Sequence, residues 1–500
     1  MIKKFTFIDL FAGIGGFRLA LERSGGECFG FSEISKDAIT YYCKNFQEDE
    51  SSNLGDITKL KSLPQHDVLV GGVPCQSWSI AGKNLGFDDD RGQLWNDTIY
   101  LLNQSRPKVF IFENVKGLVD PRNKKALKYI LDRIKEAGYF ADVYVINSSD
   151  FGVPQNRVRI YIIGFDNEKD FHAFKINKKY AKEKMTLADV LGVVVKTKNS
   201  ASELDLFGNL VTNGNMSLSS TNGLNDYFLF NDLRNGHSTI HSWDILQTTE
   251  REKEICLALL RNRRKSKYGK LDGNPLSLAH FQELISDVSQ SEIDVLVEKE
   301  ILKPEQYLFK ITDKNNENCS DEEQLILSGY HSGNVLIIDE LKSNKNFKLN
   351  KINLLNIIDS LIEKGILECI EVRYDFKNTK ISTGLYGVNR VFLPTSDIFP
   401  TLVASDTNDF ITTEIIEAKN EKEFREKFIS EVYKKEKYRK ITKEEACIIQ
   451  GFPKNFELPE NRARWMKLVG NSVSVPVIEV LIKSIIETGV FEEEKQSLLV

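Results

Sequence analysis

Between residues 5 and 165 short apolar runs alternate with amphipathic stretches, and no other feature of this 500-residue chain narrows its possible folds as far. The runs begin at Phe5 (FTFIDLF), Glu27 (ECFGFSE), Asp67 (DVLVGG), Lys108 (KVFIFENV), Ala141 (ADVYVINSSDFG) and Val158 (VRIYIIGF). Between them lie FRLALERSG, SKDAITYYCKNF and NKKALKYILDRIKEAG, whose apolar residues recur at helical spacing. Strands rich in Val, Ile and Phe that alternate with helices predict an α/β fold, a doubly wound, mostly parallel Rossmann-like sheet.

After about residue 175 the pattern changes. Residues 176–400 are more polar, rich in Asn, Ser, Lys and Glu, and show no strand–helix alternation. Two stretches there look alike, VLVEKEILKP at 295–304 and SLIEKGILEC at 360–369. Each reads as a helix end running into a strand, either a duplicated winged-helix-like unit or two unrelated helix ends. Helical patterns dominate 412–450, and a helix near 475–488 follows the tetrapeptide GNSV. On that helix Val477, Val480, Leu481 and Ile485 fall at helical spacing, an apolar face that must be buried.

Composition sets limits on function. The formal net charge is -5, so nucleic acid would have to be held by a local basic cleft rather than by bulk charge. The seven cysteines are odd in number and form no C-x-x-C pair, and the six histidines are scattered. That pattern predicts neither a disulfide framework nor a metal site, and a cytoplasmic protein. No run is expected to approach the ~18 apolar residues of a membrane span. Lys3 and Lys4 precede apolar residues, but Asp9 interrupts the run, which reads as a strand entering a glycine turn rather than as a signal peptide.

Four places carry residues suited to chemistry. The turn DLFAGIGGF, from Asp9 to Phe17, follows a strand and opens a helix, where an α/β sheet presents a nucleotide crevice. Gly13 and Gly15 would let the backbone approach a ligand, and Glu33, at the end of the next strand, suits a ribose diol. Position 18 is Arg, so the third glycine of the dinucleotide pattern is missing; a ligand without a pyrophosphate would not need it. A tight turn that binds nothing would look the same. GGVPCQSWS follows the strand DVLVGG and puts Cys75 on a glycine-flanked loop beside the same crevice. A thiolate there could act as a nucleophile, although single cysteines are more often buried and inert. Glu113, in FENV at a strand end, is expected to have a raised pKa and to serve as a proton donor, or else to be an ordinary strand-end carboxylate. Finally, Arg157 and Arg159 in QNRVR alternate along a strand and place two guanidinium groups on one side, unless they are surface ion-pair partners.

Taken in order, these motifs resemble those of DNA cytosine-5 methyltransferases of the bacterial restriction–modification type. DLFAGIGGF is similar to the family's cofactor motif, GGVPCQSWSIAG to its nucleophile loop, FENV to its glutamate motif and QNRVR to its Q-x-R-x-R motif. RKITKEEACIIQGFP (439–453) and VGNSV (469–473) resemble the two motifs near the family's C-terminal end. The likeness covers about residues 1–170 and 390–490. It implies a class I methyltransferase fold with a catalytic and cofactor-binding domain over 1–175, a smaller target-recognition domain over 176–458, and a segment 459–490 that returns to the first domain.

The resemblance also implies the chemistry. S-adenosyl-L-methionine would be the methyl donor and a flipped-out cytosine of duplex DNA the acceptor. Cys75 would attack carbon 6, Glu113 would serve ring nitrogen 3 and Arg159 would hold the ring carbonyl, with Arg157 and Gln155 supporting the loop. The cofactor set would comprise Asp9, Phe11, Gly13, Gly15, Gly16, Glu33, Asp56, Ile57, Pro74, Leu94, Asn471 and Val473. A monomer is expected, with a cognate restriction endonuclease acting separately. An RNA cytosine-5 methyltransferase and an inactive DNA-binding relative remain as rival readings, the second disfavoured by intact Cys75, Glu113 and Arg159. Within the variable region, Arg261, Arg263, Arg264, Lys265, Lys267 and Lys270 form a basic cluster around Tyr268, suited to DNA phosphates or equally to a solvated helix end.

Overall fold

The computed structural model describes residues 5–74, 90–195, 228–229, 239–271, 273–312, 318–329, 331–343, 353–377, 388, 390–394, 396, 398–418 and 421–492. Every one of the apolar runs is a strand: β1 (Phe5–Leu10), β2 (Gly26–Ser32), β3 (Val68–Gly72), β4 (Val109–Val115), β5 (Phe140–Asn147) and, after the short β6 (Gln155–Asn156), β7 (Val158–Phe165). The amphipathic stretches form α1 (Gly16–Arg23), α2 (Lys36–Phe46) and α4 (Lys124–Glu136), with α3 (Asp90–Ser105) ahead of β4. The sheet order is β2-β1-β3-β4-β7-β5. β1 is parallel to β2 and to β3, and β3 to β4, while β7 runs antiparallel between β4 and β5. The odd direction of β7 follows from its connection. Residues 148–157, which hold only a turn of 3-10 helix and β6, leave no room for a crossover helix, so β7 doubles back.

Successive strand residues point to opposite faces, and both faces are covered. From β4, Val109 and Ile111 join one core together with Phe7, Val70 and Ile163; Phe110 and Phe112 join the other with Trp95, Ile130 and Ile134. The first core is completed from far along the chain. The helix Val475–Ile486 buries Val477, Val480, Leu481 and Ile485 in it, and Glu479 of that helix pairs with Arg23 of α1 at 2.7 Å. The stretch Arg462–Ile486 contains a window long and apolar enough in composition to cross a bilayer, contrary to expectation. Of that window 83% is buried inside the protein, which accounts for its apolarity.

The chain divides into two compact units, residues 1–227 with 391–500, and residues 228–390. The first unit is thus discontinuous, and the boundary expected at 458 falls inside it. Residues 391–458 lack strand–helix alternation, yet Phe392, Phe399, Leu402, Ile441 and Cys447 belong to the same core as β1 and β3, and Phe399 and Pro400 pair with β6. Burial, not periodicity, assigns them.

The second unit bears out the duplication. The helix Gln290–Glu298 leads through Glu300 (φ 56°) into the strand Leu302–Ile311, and the helix Leu354–Glu363 leads through Gly365 (φ 68°) into the strand Leu367–Phe376. The caps repeat bond for bond: Ile301 N–H donates to the Leu296 carbonyl at 3.0 Å and Ile366 N–H to the Leu361 carbonyl at 2.9 Å. The two strands pair antiparallel, Leu302 opposite Phe376 and Ile311 opposite Leu367, so the start of each lies against the end of the other. A short edge segment and helix precede each copy, Leu276 with Leu278–Leu284 and Val335–Ile337 with Ile338–Ser343.

Candidate active site

The ligand-facing turn is built by backbone conformation. Phe11 holds φ 51°, rare for an aromatic residue, and Gly13 holds φ 56°. A Cβ on Gly13 would meet nothing within 4 Å, so this glycine leaves open space over the crevice. Its N–H donates to Glu33 Oε2 at 2.9 Å, and Glu33 Oε1 accepts the N–H groups of Ile34 and Ser35, each at 2.8 Å. Glu33 is thereby fixed at the carboxyl end of β2, beside the switch point where the chain leaves β1 in both directions. The neighbouring glycines serve packing. A Cβ on Gly15 would run into the Phe46 ring, and one on Gly16 would lie 2.8 Å from Ser472 Oγ and from Val473 Cγ2.

At the other end of the crevice β3 and β4 end side by side, Gly72 opposite Glu113. Burial pushes the Glu113 carboxyl above its ordinary pKa, with Arg159 and then Arg157 pulling the other way. Arg159 Nε stands 3.1 Å from Glu113 Oε1. Arg157 is fully buried, and burial pushes its guanidinium down to about 9. It is a clamp on the returning segment: Nη1 donates to the carbonyls of Leu402 (3.1 Å) and Gly470 (3.2 Å), and Nη2 to those of Gly470 (3.2 Å) and Ser472 (2.6 Å). Gln155 Nε2 donates to the Ile449 carbonyl at 3.2 Å and to Gln450 Oε1 at 2.9 Å.

Together these elements enclose a cavity of about 540 Å³. Phe11, Gly13, Glu33, Asp56, Ile57, Pro74, Leu94, Glu113, Arg157, Arg159 and Asn471 line it. Asp9, Gly15, Gly16, Gln155 and Val473 do not: Asp9 is wholly buried beneath the turn, and the other four pack or hydrogen-bond against neighbouring segments. Cys75 lies outside the described residues. Asp56 accepts from Thr58 N–H at 3.0 Å and Thr58 Oγ1 at 2.9 Å, bonds that lower its carboxyl pKa. Asn114 and Lys467 also line the cavity and had no role in the sequence reading. Asn114 sits within FENV beside the glutamate. No group of three or more potential metal ligands occurs among the described residues.

The residues present fit a nucleoside-bearing methyl donor. The cavity has the size of a small-ligand site, an open glycine, apolar lining from half-buried Phe11 and buried Ile57, and a carboxylate at the β2 end. A mostly parallel sheet with one antiparallel strand, and a crevice at its switch point that joins such a pocket to a Glu–Arg pair, defines a class I methyltransferase. The sequence profile of C-5 cytosine-specific DNA methylases matches residues 5–487, and the chain belongs to that family. It is similar along its length to Type II methyltransferase M.HgiBI of Herpetosiphon aurantiacus, 40% identical over 498 residues and 99% of both chains. Type II methyltransferase M.BanI of Aneurinibacillus aneurinilyticus is 31% identical over 513 residues, 98% of this chain and 97% of its own. Among solved structures, the Entamoeba histolytica methyltransferase EhMeth is 14% identical over 97% of this chain and 98% of its own, with a TM-score of 0.46, too distant a likeness to bear on function.

Half of the basic cluster in the second unit is paired with acids. Arg263 is buried, 2.7 Å from Asp375 Oδ2 and over the Phe376 ring; Lys267 pairs with Glu283 and Lys270 with Glu340, each at 3.2 Å. Arg263 is therefore a core ion-pair residue and not a phosphate contact.

Proposed function

We propose that this DNA methylase binds S-adenosyl-L-methionine in the crevice and methylates carbon 5 of a flipped-out cytosine in one duplex DNA sequence, through a covalent Cys75 adduct. The observation that carries the reading is the register of β3 against β4, which sets Glu113 opposite Gly72, three residues before Cys75. Phe11, Gly13, Glu33, Asp56, Ile57, Pro74, Leu94 and Asn471 hold the cofactor, which when bound supplies an electrophilic methyl group on a sulfonium.

Carbon 5 of cytosine is a poor nucleophile, so the Cys75 thiolate first adds to carbon 6. Glu113, whose carboxyl holds its proton more tightly because it is buried, serves ring nitrogen 3 and removes the charge that addition creates. Arg159 holds the ring carbonyl oxygen and, at 3.1 Å from Glu113, orients the acid. After methylation, loss of the carbon 5 proton and expulsion of the thiolate restore the ring. The base must leave the helix for these groups to reach it. The second unit, residues 228–390, reads the target sequence. The enzyme acts as a monomer in the cytoplasm. It serves as the modification partner of a restriction endonuclease, a role in keeping with the Type II methyltransferases that are similar over their full length.

Duplex DNA with 5-fluorocytosine at the target tests it, because fluorine cannot leave as a proton does. A stable protein–DNA adduct is expected with the native chain and none with Cys75→Ala, which should still bind cofactor. An adduct that survives in Cys75→Ala rules out the nucleophile.

A further inference from the structure

Six ionisable side chains line the cavity, and five of them are already engaged within the protein. Glu33 accepts the backbone N–H groups of Gly13, Ile34 and Ser35, and Asp56 accepts from Thr58. Glu113 and Arg159 face each other at 3.1 Å, and Arg157 donates to carbonyls of the returning segment. Lys467 is the exception. It is exposed, and its ammonium makes no hydrogen bond or ion pair among the described residues. It stands four residues before Asn471 on the helix Arg462–Asn471, so the two share a face, and both line the cavity. Its charge also reaches the first turn of α2. The hydrogen bond from Arg464, then the charges of Arg464 and Lys467, hold the Asp37 carboxyl below its ordinary pKa. Asp37 is nonetheless no partner for Lys467, because Arg464 Nε and Nη2 take its two oxygens at 2.9 and 2.5 Å.

An ammonium on the wall of a ligand cavity, with no anion of its own, suits a negative group on the ligand. S-adenosyl-L-methionine carries one such group, the carboxylate of its amino-acid tail; its sulfonium and its amine are positive. We propose that Lys467 receives that carboxylate, an inference that rests on the reading of the crevice as the cofactor site. Lys467→Met keeps most of the stem and removes the charge. It should raise the Kd for S-adenosyl-L-methionine about fivefold, the upper worth of an ion pair open to solvent, while Lys467→Arg stays within about twofold of the native chain. The decarboxylated cofactor has the same nucleoside, sulfonium and amine but no carboxylate. Its Kd should agree within about twofold between the native chain and Lys467→Met, because the group that Lys467 meets is missing.

Calorimetric titration of the full chain with each of the two cofactors measures these constants, with a melting curve for each variant. An unchanged Kd for S-adenosyl-L-methionine in Lys467→Met overturns the assignment. A loss of the same size with the decarboxylated cofactor overturns it too, since that marks a general disturbance of the crevice. Native cofactor affinity in Lys467→Met beside weaker binding of duplex DNA would likewise overturn it and give Lys467 to a DNA phosphate. The native chain separates this claim from the one beneath it. If it binds no S-adenosyl-L-methionine, the reading of the crevice fails and this role with it, whereas native binding that Lys467→Met leaves unaltered removes Lys467 alone.

Discussion

Asp9 shows how one residue can serve a site without entering it. It closes β1 just before the ligand turn, is wholly buried, and neither carboxylate oxygen makes a well-formed hydrogen bond. Burial raises its pKa well above the ordinary carboxylate value, against the pull of Arg18. The folded protein therefore holds a proton at Asp9 that the unfolded chain releases. Stability from this group is fully present below the unfolded pKa of about 3.9 and is lost as pH rises through the folded value, at up to about 1.4 kcal/mol per pH unit. Asn cannot ionise, so Asp9→Asn should remove this slope. The variant is expected to gain melting temperature on the native protein as pH rises from about 5 to about 8. Parallel pH–melting curves for the two proteins would sink the assignment of a neutral Asp9.

At the scale of elements, the helix Arg462–Asn471 and the clamp that holds it divide the labour. Arg157 spends its donors on the carbonyls of Leu402, Gly470 and Ser472, fixing the backbone on either side of Asn471. Asn471 itself is exposed at the helix end, lines the cavity, and its amide makes no hydrogen bond among the described residues. Asn471→Ala should weaken cofactor binding by about 1.5–3 kcal/mol, the worth of a hydrogen bond to a charged group, and leave the melting temperature unchanged. Calorimetric titration beside a melting curve decides, and native affinity in a folded variant removes Asn471 from the site. The strands, the glycine turn and the carboxylates were legible in the sequence because their signals are local, a two-residue period or a short motif. What Gly15, Gly16, Gln155 and Arg157 do was not. A glycine required by the Phe46 ring looks like one required by a ligand, and the carbonyl partners of Arg157 lie 245 to 315 residues further on. The same distance in sequence hid Asp375, which turns Arg263 from a surface cation into half of a buried pair.

For the molecule as a whole, the division into units leaves the described cavity within one of them. Every described residue that lines the cavity belongs to residues 1–227 or 391–500, and this unit contains its own buried core from β1 to the helix Val475–Ile486. The unit 228–390 has separate cores around Trp243 and Phe309 and an internal duplication, and none of its described residues lines the cavity. Bulk charge cannot select a target, since the chain carries a net charge of -5 and half of the basic cluster at 261–270 is paired with acids. Selection then falls to directed contacts with base edges, which phosphate-neutralising charge does not provide. If unit 228–390 makes them, the recognition sequence should travel with it. Residues 228–390 exchanged for the equivalent unit of a relative with a different recognition sequence should yield a chain that methylates at that relative's sequence. Cofactor affinity should stay that of the native protein, because no described cavity residue is exchanged. Bisulfite sequencing of genomic DNA from a host that expresses the exchanged chain reads the outcome directly. Methylation that stays at the native sequence would place target recognition in the unit that also carries the crevice.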